Sequence, residues 1–377
     1  MNRLASKRSA AGLSLIELMI AMLIGLLLIL GVVQIFGASR TAYQLSEGLS
    51  RTQENGRFAM DYLQRDLRMV GHFGCINDQS RLQQTDKLSS DLNAATYPQL
   101  DFARSLQGYD ATSTGPDNTV DLDAPAAGWS PALPAYISNL NPRPGSDIVE
   151  LRFLSPDGAP VTAISANTVT VDSSRWSVLQ QGGVTTPVLF GLGDCTFADV
   201  FQGTGTGTVT AAGGLNALDA AGFTTNFGRY TTKPAGTAML YRAEALVYYV
   251  AMTNRGVPAL FRARFNGAGA TAEELVEGIE SLQFLYGMDA GTVDALTGNI
   301  TRSDTAATLG ITETNWRRVG QIQVGLLASS PDRAASARAE DANAPHALGV
   351  QFTLPSDARF RASYEATVAL RNRLYGN

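Results

Sequence analysis

Gly12, Leu13 and Glu17 are the positions where residue type and spacing point to chemistry. Gly12 closes a polar, basic stretch that carries Arg3, Lys7 and Arg8 and no acid. An apolar run follows, and from Leu18 to Val33 no side chain is polar. A secretory leader is cut after its apolar region, at a small-residue site. Here the small residues Ala10, Ala11 and Gly12 precede that region. A cut after Gly12 would keep the whole apolar segment and create a new α-amino group on Leu13. Glu17 has use for such a group. An ionised carboxylate near the bilayer centre costs on the order of 2.5–3.5 kcal/mol, and no Lys or Arg lies between Arg8 and Arg40. The Leu13 amine would be its i,i+4 neighbour in one helix, or its partner across two packed chains.

Other reactive residue types are sparse. His72 and His346 are the two histidines. His72 falls at an expected helix end, where an imidazolium would meet the last helix carbonyls; His346 reads as exposed. No nucleophile–base spacing and no His/Cys metal cluster is evident, so the chain reads as neither an enzyme nor a metal or cofactor protein. Acidic loops (Asp110, Asp117, Asp121 and Asp123; Asp289, Asp294 and Asn299) match no EF-hand spacing and read as solvated. Gly203 to Thr208, an alternation of Gly and Thr, reads as a flexible loop or hairpin tip. The two cysteines, Cys75 and Cys195, fit no zinc or redox motif. In an oxidising compartment they are expected to form one disulfide; two unrelated thiols are the alternative. A net charge of −5 with no basic cluster in the body argues against a nucleic-acid partner.

The elements that must carry these residues follow from periodicity. The largely apolar span, extended by Leu13, Leu15, Ile16, Ile35 and Phe36, is long enough to cross a bilayer as a helix. The basic leader places its start in the cytoplasm and the rest of the chain outside. Leu45, Leu49, Thr52, Gly56, Ala59, Leu63, Leu67 and Val70 then recur every three or four residues, the buried stripe of a continuing amphipathic helix. Gly71 and Gly74 end it. Residues 76–146 are rich in Gly, Pro, Ser and Asp and read mainly as loops. Strands are expected at 147–153 and 161–171. Clear alternation marks further strands around 242–249, 281–286, 321–326 and 360–371, each with one buried face. The expected fold class is α+β: a long N-terminal membrane-spanning helix packed on an antiparallel β-sheet head with a large loop-rich or β insertion. The divisions are a leader, 1–12; a membrane and filament-core helix half, 13–36; an amphipathic half, 37–70; and a head, 71–377. Within the head, about 76–235 is insertion-rich and 236–377 forms the core sheet. A head of that size, with 45% hydrophobic residues overall, can bury a substantial core.

The segment Gly12-Leu13-Ser14-Leu15-Ile16-Glu17 and the apolar helix behind it resemble the type III prepilin signal. The resemblance implies a prepilin peptidase that cuts after Gly12 and N-methylates Leu13, a position usually held by Phe. It also implies that Glu17 meets a neighbouring subunit's N-terminus during assembly. Residues 48–58, then 66–71 with Gly74-Cys75, and the late block Leu275 to Gly287 are similar to the PilW family of minor type IV pilins. That family implies a structural subunit that helps initiate pilus assembly at or near the filament tip. Its partners would be other minor pilins, the major pilin and a tip adhesin. Its location would be the inner membrane, head in the periplasm, and then the pilus. A type II secretion pseudopilin is the alternative, and a single-pass membrane-anchored binding protein a weaker one.

Overall fold

The computed structural model describes residues 14–373, other than 79–86, 233, 235, 268, 294 and 335–343. Gly12 and Leu13, the expected processing positions, and Asp294 lie outside the described residues. One helix, Leu15–Leu67, runs for 53 residues, about 80 Å at 1.5 Å per residue. Nothing in its sequence forces a break: the first proline of the chain is Pro98. Beyond Leu67 the chain turns at Gly71, where φ is +76°, a conformation open to glycine at little cost.

Two main sheets form the head. The smaller is antiparallel with four strands, in the order Ile300–Asp304, Ile279–Asp289, Val319–Arg333, Arg359–Ala369. The helix lies across its last two strands. The larger has twelve strands, centred on Met239–Met252. That strand pairs antiparallel with Ile148–Leu154 and with Pro258–Phe265. It also reaches Leu189–Gly193 and Ala159–Ser165, where the insertion begins. One pairing in this sheet, Leu88–Ser90 with Ala198–Thr204, is parallel.

Of four apolar clusters among the described residues, three make the main layers. In the first, Ala59, Leu63 and Leu67 of the helix meet Leu282, Phe284, Val324 and Leu326 of the small sheet and Leu246 and Tyr248 of the large one. Each fully buried Leu or Phe contributes roughly 1.5–3 kcal/mol relative to exposure. The second lies behind the large sheet, where Val247 and Tyr249 pack with Phe73 and Phe102. The third belongs to the insertion: Phe190 and Phe201 face Phe223 and Phe227 of the helix Ala220–Thr231. The Gly/Thr run makes the hairpin tip between Ala198–Thr204 and Thr208–Ala211.

The expectation of one buried face fails for Ile279–Asp289, where Ser281 and Gln283 are buried too, and for Met239–Met252, which is buried along both faces. Its polar alternation, Arg242 and Glu244, suggested a solvated side. Instead Arg242 Nε donates to Glu244 at 2.7 Å and Arg264 Nε donates to it at 2.9 Å. Charges can lie between layers when each is paired and hydrogen-bonded.

Candidate functional site: the N-terminal helix and its seat

The helix starts at a capping box. Ser14 is extended, with φ −74° and ψ 149°. Its hydroxyl accepts from the Glu17 amide at 3.3 Å, and Glu17 Oε2 accepts from the Ser14 amide at 3.1 Å and its hydroxyl at 3.2 Å. Glu17 is therefore held in the first turn, where free amides and the helix dipole favour an anion. The sequence carried this signal, because Ser-x-x-Glu before an apolar run is the capping-box pattern. The Ser14 amide and hydroxyl thus give Glu17 local donors besides the expected Leu13 amine.

From Leu15 to Glu47 no helix residue is buried against the head. Phe36 is 71% exposed and Tyr43 68%. The helix is long and apolar enough to cross a membrane, by length and composition. An apolar surface of this extent needs lipid or other chains around it.

The seat begins at Gly48. Leu45 and Leu49, expected in the buried stripe, are 44% and 38% exposed. Gly48, Thr52, Gly56 and Ala59 face the small sheet instead. Their small size brings the backbones close: a Cβ on Gly56 would collide with the Tyr364 ring, and one on Gly48 with Ala334. Polar bonds fix the seat along its length. Tyr364 donates to the Thr52 carbonyl at 3.3 Å, and Asn55 Nδ2 donates to the Glu277 carbonyl at 2.9 Å. Near the helix end, buried Asp66 accepts from the Tyr248 hydroxyl at 2.5 Å and from Arg262 at 3.2 Å. Burial, then the Asp66 charge, push the Tyr248 phenol well above its ordinary pKa, so it stays a donor.

The turn after the helix is bolted to the insertion. Cys75 and Cys195 form a disulfide with a Cα–Cα distance of 4.7 Å across a sequence separation of 120. Loop closure of that length is worth about 4–5 kcal/mol. His72 takes a different place from the one its position suggests. Its Nδ1 lies 3.0 Å from the Leu154 carbonyl, and burial lowers its pKa. The neutral ring bridges to a strand rather than capping the helix. His346 is exposed at the start of a short strand. Asp289, read as loop solvent surface, is buried, and its carboxylate accepts from the amides of Gly291, Thr297 and Gly298. Those donors pull its pKa down despite the opposing effect of burial.

Two family models match the chain. Residues 7–33 match the prokaryotic N-terminal methylation motif. Residues 247–372 match Type IV Pilus-assembly protein W, PilW. No curated protein and no solved structure gives a significant match. The first match covers the leader and the membrane-length part of the helix; the second covers the small sheet and, of the large one, the end of Met239–Met252 with Pro258–Phe265 and Ala270–Glu277. Together they support a PilW-family pilin carrying a prepilin signal.

Proposed function

We propose that this pilin is a minor subunit that helps start assembly of a type IV pilus and sits at or near the filament tip, with its head outside the inner membrane. The observation that carries the reading is the insertion. Its strands between Ala159 and Ala211 and the helix Ala220–Thr231 have an apolar cluster of their own, added to a helix-and-sheet unit that is already packed. Subunits in a shaft must tile closely on every side, whereas a terminal subunit is free to be bulky. A tip subunit has other pilins below it and presents its head, alone or with an adhesin. The match over residues 247–372 favours the pilus over a secretion pseudopilus.

The same reading assigns Gly12 and Leu13 to processing and Glu17 to assembly. The exposed lower helix and the basic residues Arg3, Lys7 and Arg8 support insertion with the leader on the cytoplasmic side. The test begins with the intact mass and N-terminal peptide of the membrane-extracted protein, with and without prepilin peptidase. A start at Leu13 carrying one added methyl, dependent on that enzyme, is expected; a retained leader in peptidase-active cells would sink the processing assignment. Deletion of the chain is expected to reduce surface pili, and normal piliation with loss of enzyme secretion would reverse the choice of machine.

A further inference from the structure

The two main sheets meet at a seam made largely by side chains. The small-sheet strand Ile279–Asp289 pairs with Val319–Arg333 along one edge. On its other edge Ile300–Asp304 pairs only from Tyr286 to Asp289. The segment Gly145 to Asp147, which leads into Ile148–Leu154 of the large sheet, takes over along the rest. The Leu282 amide donates to Ser146 Oγ at 2.9 Å, and the Phe284 amide donates to Asp147 Oδ2 at 2.9 Å. The Asp147 amide returns a bond to the Leu282 carbonyl at 2.8 Å. Asp147 Oδ1 also accepts from the Ala111 amide at 2.8 Å and the Thr114 hydroxyl at 3.0 Å. One carboxylate thus ties three separate stretches of chain.

A second buried carboxylate lies beside it. Asp110 lies next to the end of the strand Leu106–Ala111, which also carries Gly108, and it accepts from the amides of Ala306 and Ala307 at 3.1 and 3.0 Å. Asp110 and Asp147 line one cavity of about 10 Å³ with Thr114, Gln283, Thr305 and Val350. Among the described residues neither acid has a Lys or Arg partner. The titratable group facing them from the small sheet is Tyr286. Its hydroxyl is fully buried, has no hydrogen-bond partner, and stands over Gly108. Both carboxylates act on that phenol, and Tyr109 adds to their effect.

Two buried carboxylates that line one small cavity, with no Lys or Arg partner among the described residues, cannot both stay ionised without cost. A calcium ion would need six to eight oxygen ligands, and the carboxylate oxygens here are already occupied by amide and hydroxyl donors. We propose that Asp110 and Asp147 bind one shared proton, and that this proton fastens the small sheet, with the helix seated on it, to the large sheet.

Burial, then the neighbouring Asp110 charge, hold the Asp147 carboxyl well above its usual range. Burial raises Asp110 as well, against the Ala307 amide, the Thr305 side chain and the Ala306 amide. The direction follows: a raised folded pKa gives stability that is complete below the unfolded carboxylate value and is lost as pH rises through the folded one. The seam should loosen toward alkaline pH.

Hydrogen–deuterium exchange on the full-length protein in detergent tests this locally, at the Leu282 and Phe284 amides, after correction for intrinsic rates. As pH rises their opening equilibrium should grow, by up to about tenfold per pH unit where the pair titrates. Asp110→Asn should flatten that slope by removing the second charge. Protection independent of pH in the wild-type protein would overturn the proposal, whether or not the variant folds. So would an unchanged slope in Asp110→Asn. Recovery of protection at high pH on adding Ca²⁺ or Na⁺ would overturn it too, by making the pair a cation site.

Discussion

Asp66 shows how one residue couples the N-terminal helix to the head. It sits in the last turn of the helix and is buried against Tyr248 and Arg262, both on strands of the large sheet. Asp66→Ala leaves the Arg262 guanidinium buried beside an empty site. Breaking one partner of a buried pair costs about 3–5 kcal/mol. Tyr248→Phe removes one bond to a charged acceptor, worth about 1.5–3 kcal/mol. Denaturant unfolding should therefore rank Asp66→Ala as the more damaging; the reverse order would mean that Glu273, on the other side of Arg262 at 2.9 Å, suffices to hold it. Asp199 in the insertion makes a pH prediction. Burial pushes its carboxyl up to about 6, against Tyr230 and Arg229. Relative to about 3.9 unfolded, its protonated form favours folding below that value, and up to roughly 3 kcal/mol is lost as pH rises through 6. Asp199→Asn should flatten the thermal midpoint between about pH 4 and about pH 7, and an unchanged profile would refute the assignment.

At the scale of elements, the helix seat depends on what is missing from it. Gly56→Ala ordinarily strengthens a helix by about 1 kcal/mol. Here the added methyl meets the Tyr364 ring, and overpacking costs about 1–3 kcal/mol. The net effect should be destabilising, with earlier proteolysis between helix and head. Gly56→Ala combined with Tyr364→Leu should recover much of the loss; no recovery would mean that the close approach is not the cause. Gly25→Ala, with open space around it, should leave the head unchanged. Much of this element was legible beforehand. Spacing of three and four gave Thr52, Gly56, Ala59, Leu63 and Leu67, because a helix on a sheet has one narrow buried stripe. Leu45 and Leu49 were misread because periodicity marks an apolar face without saying what covers it. Alternation located the late strands but misjudged the second face of Met239–Met252 and Ile279–Asp289, which is buried. Leu106–Ala111 was not legible: all six of its residues, Gln107 and Asp110 among them, are buried. In a strand buried on both faces polar residues mark no solvated side, and their burial depends on partners distant in sequence. The capping box at Ser14 was readable from four residues, since its bonds are local.

Over the whole molecule the two ends of the helix answer to different surroundings. The upper end seats one face on its own head through Gly48, Gly56 and Asp66. The lower end, Leu15 to Glu47, is unburied and depends on lipid or on other subunits. Glu17 belongs to that lower end, roughly 70 Å along the helix from Asp66 at 1.5 Å per residue. Glu17→Leu removes a charge from an apolar span, which should make membrane insertion easier rather than harder. It leaves every contact of the head intact. The expected outcome is a variant that accumulates in the membrane with a wild-type unfolding profile and protease resistance, yet fails to restore piliation in a strain lacking the wild-type chain. Normal piliation would show that Ser14's partner is only a helix cap. Loss of the folded head would show instead that the two ends are coupled along the helix.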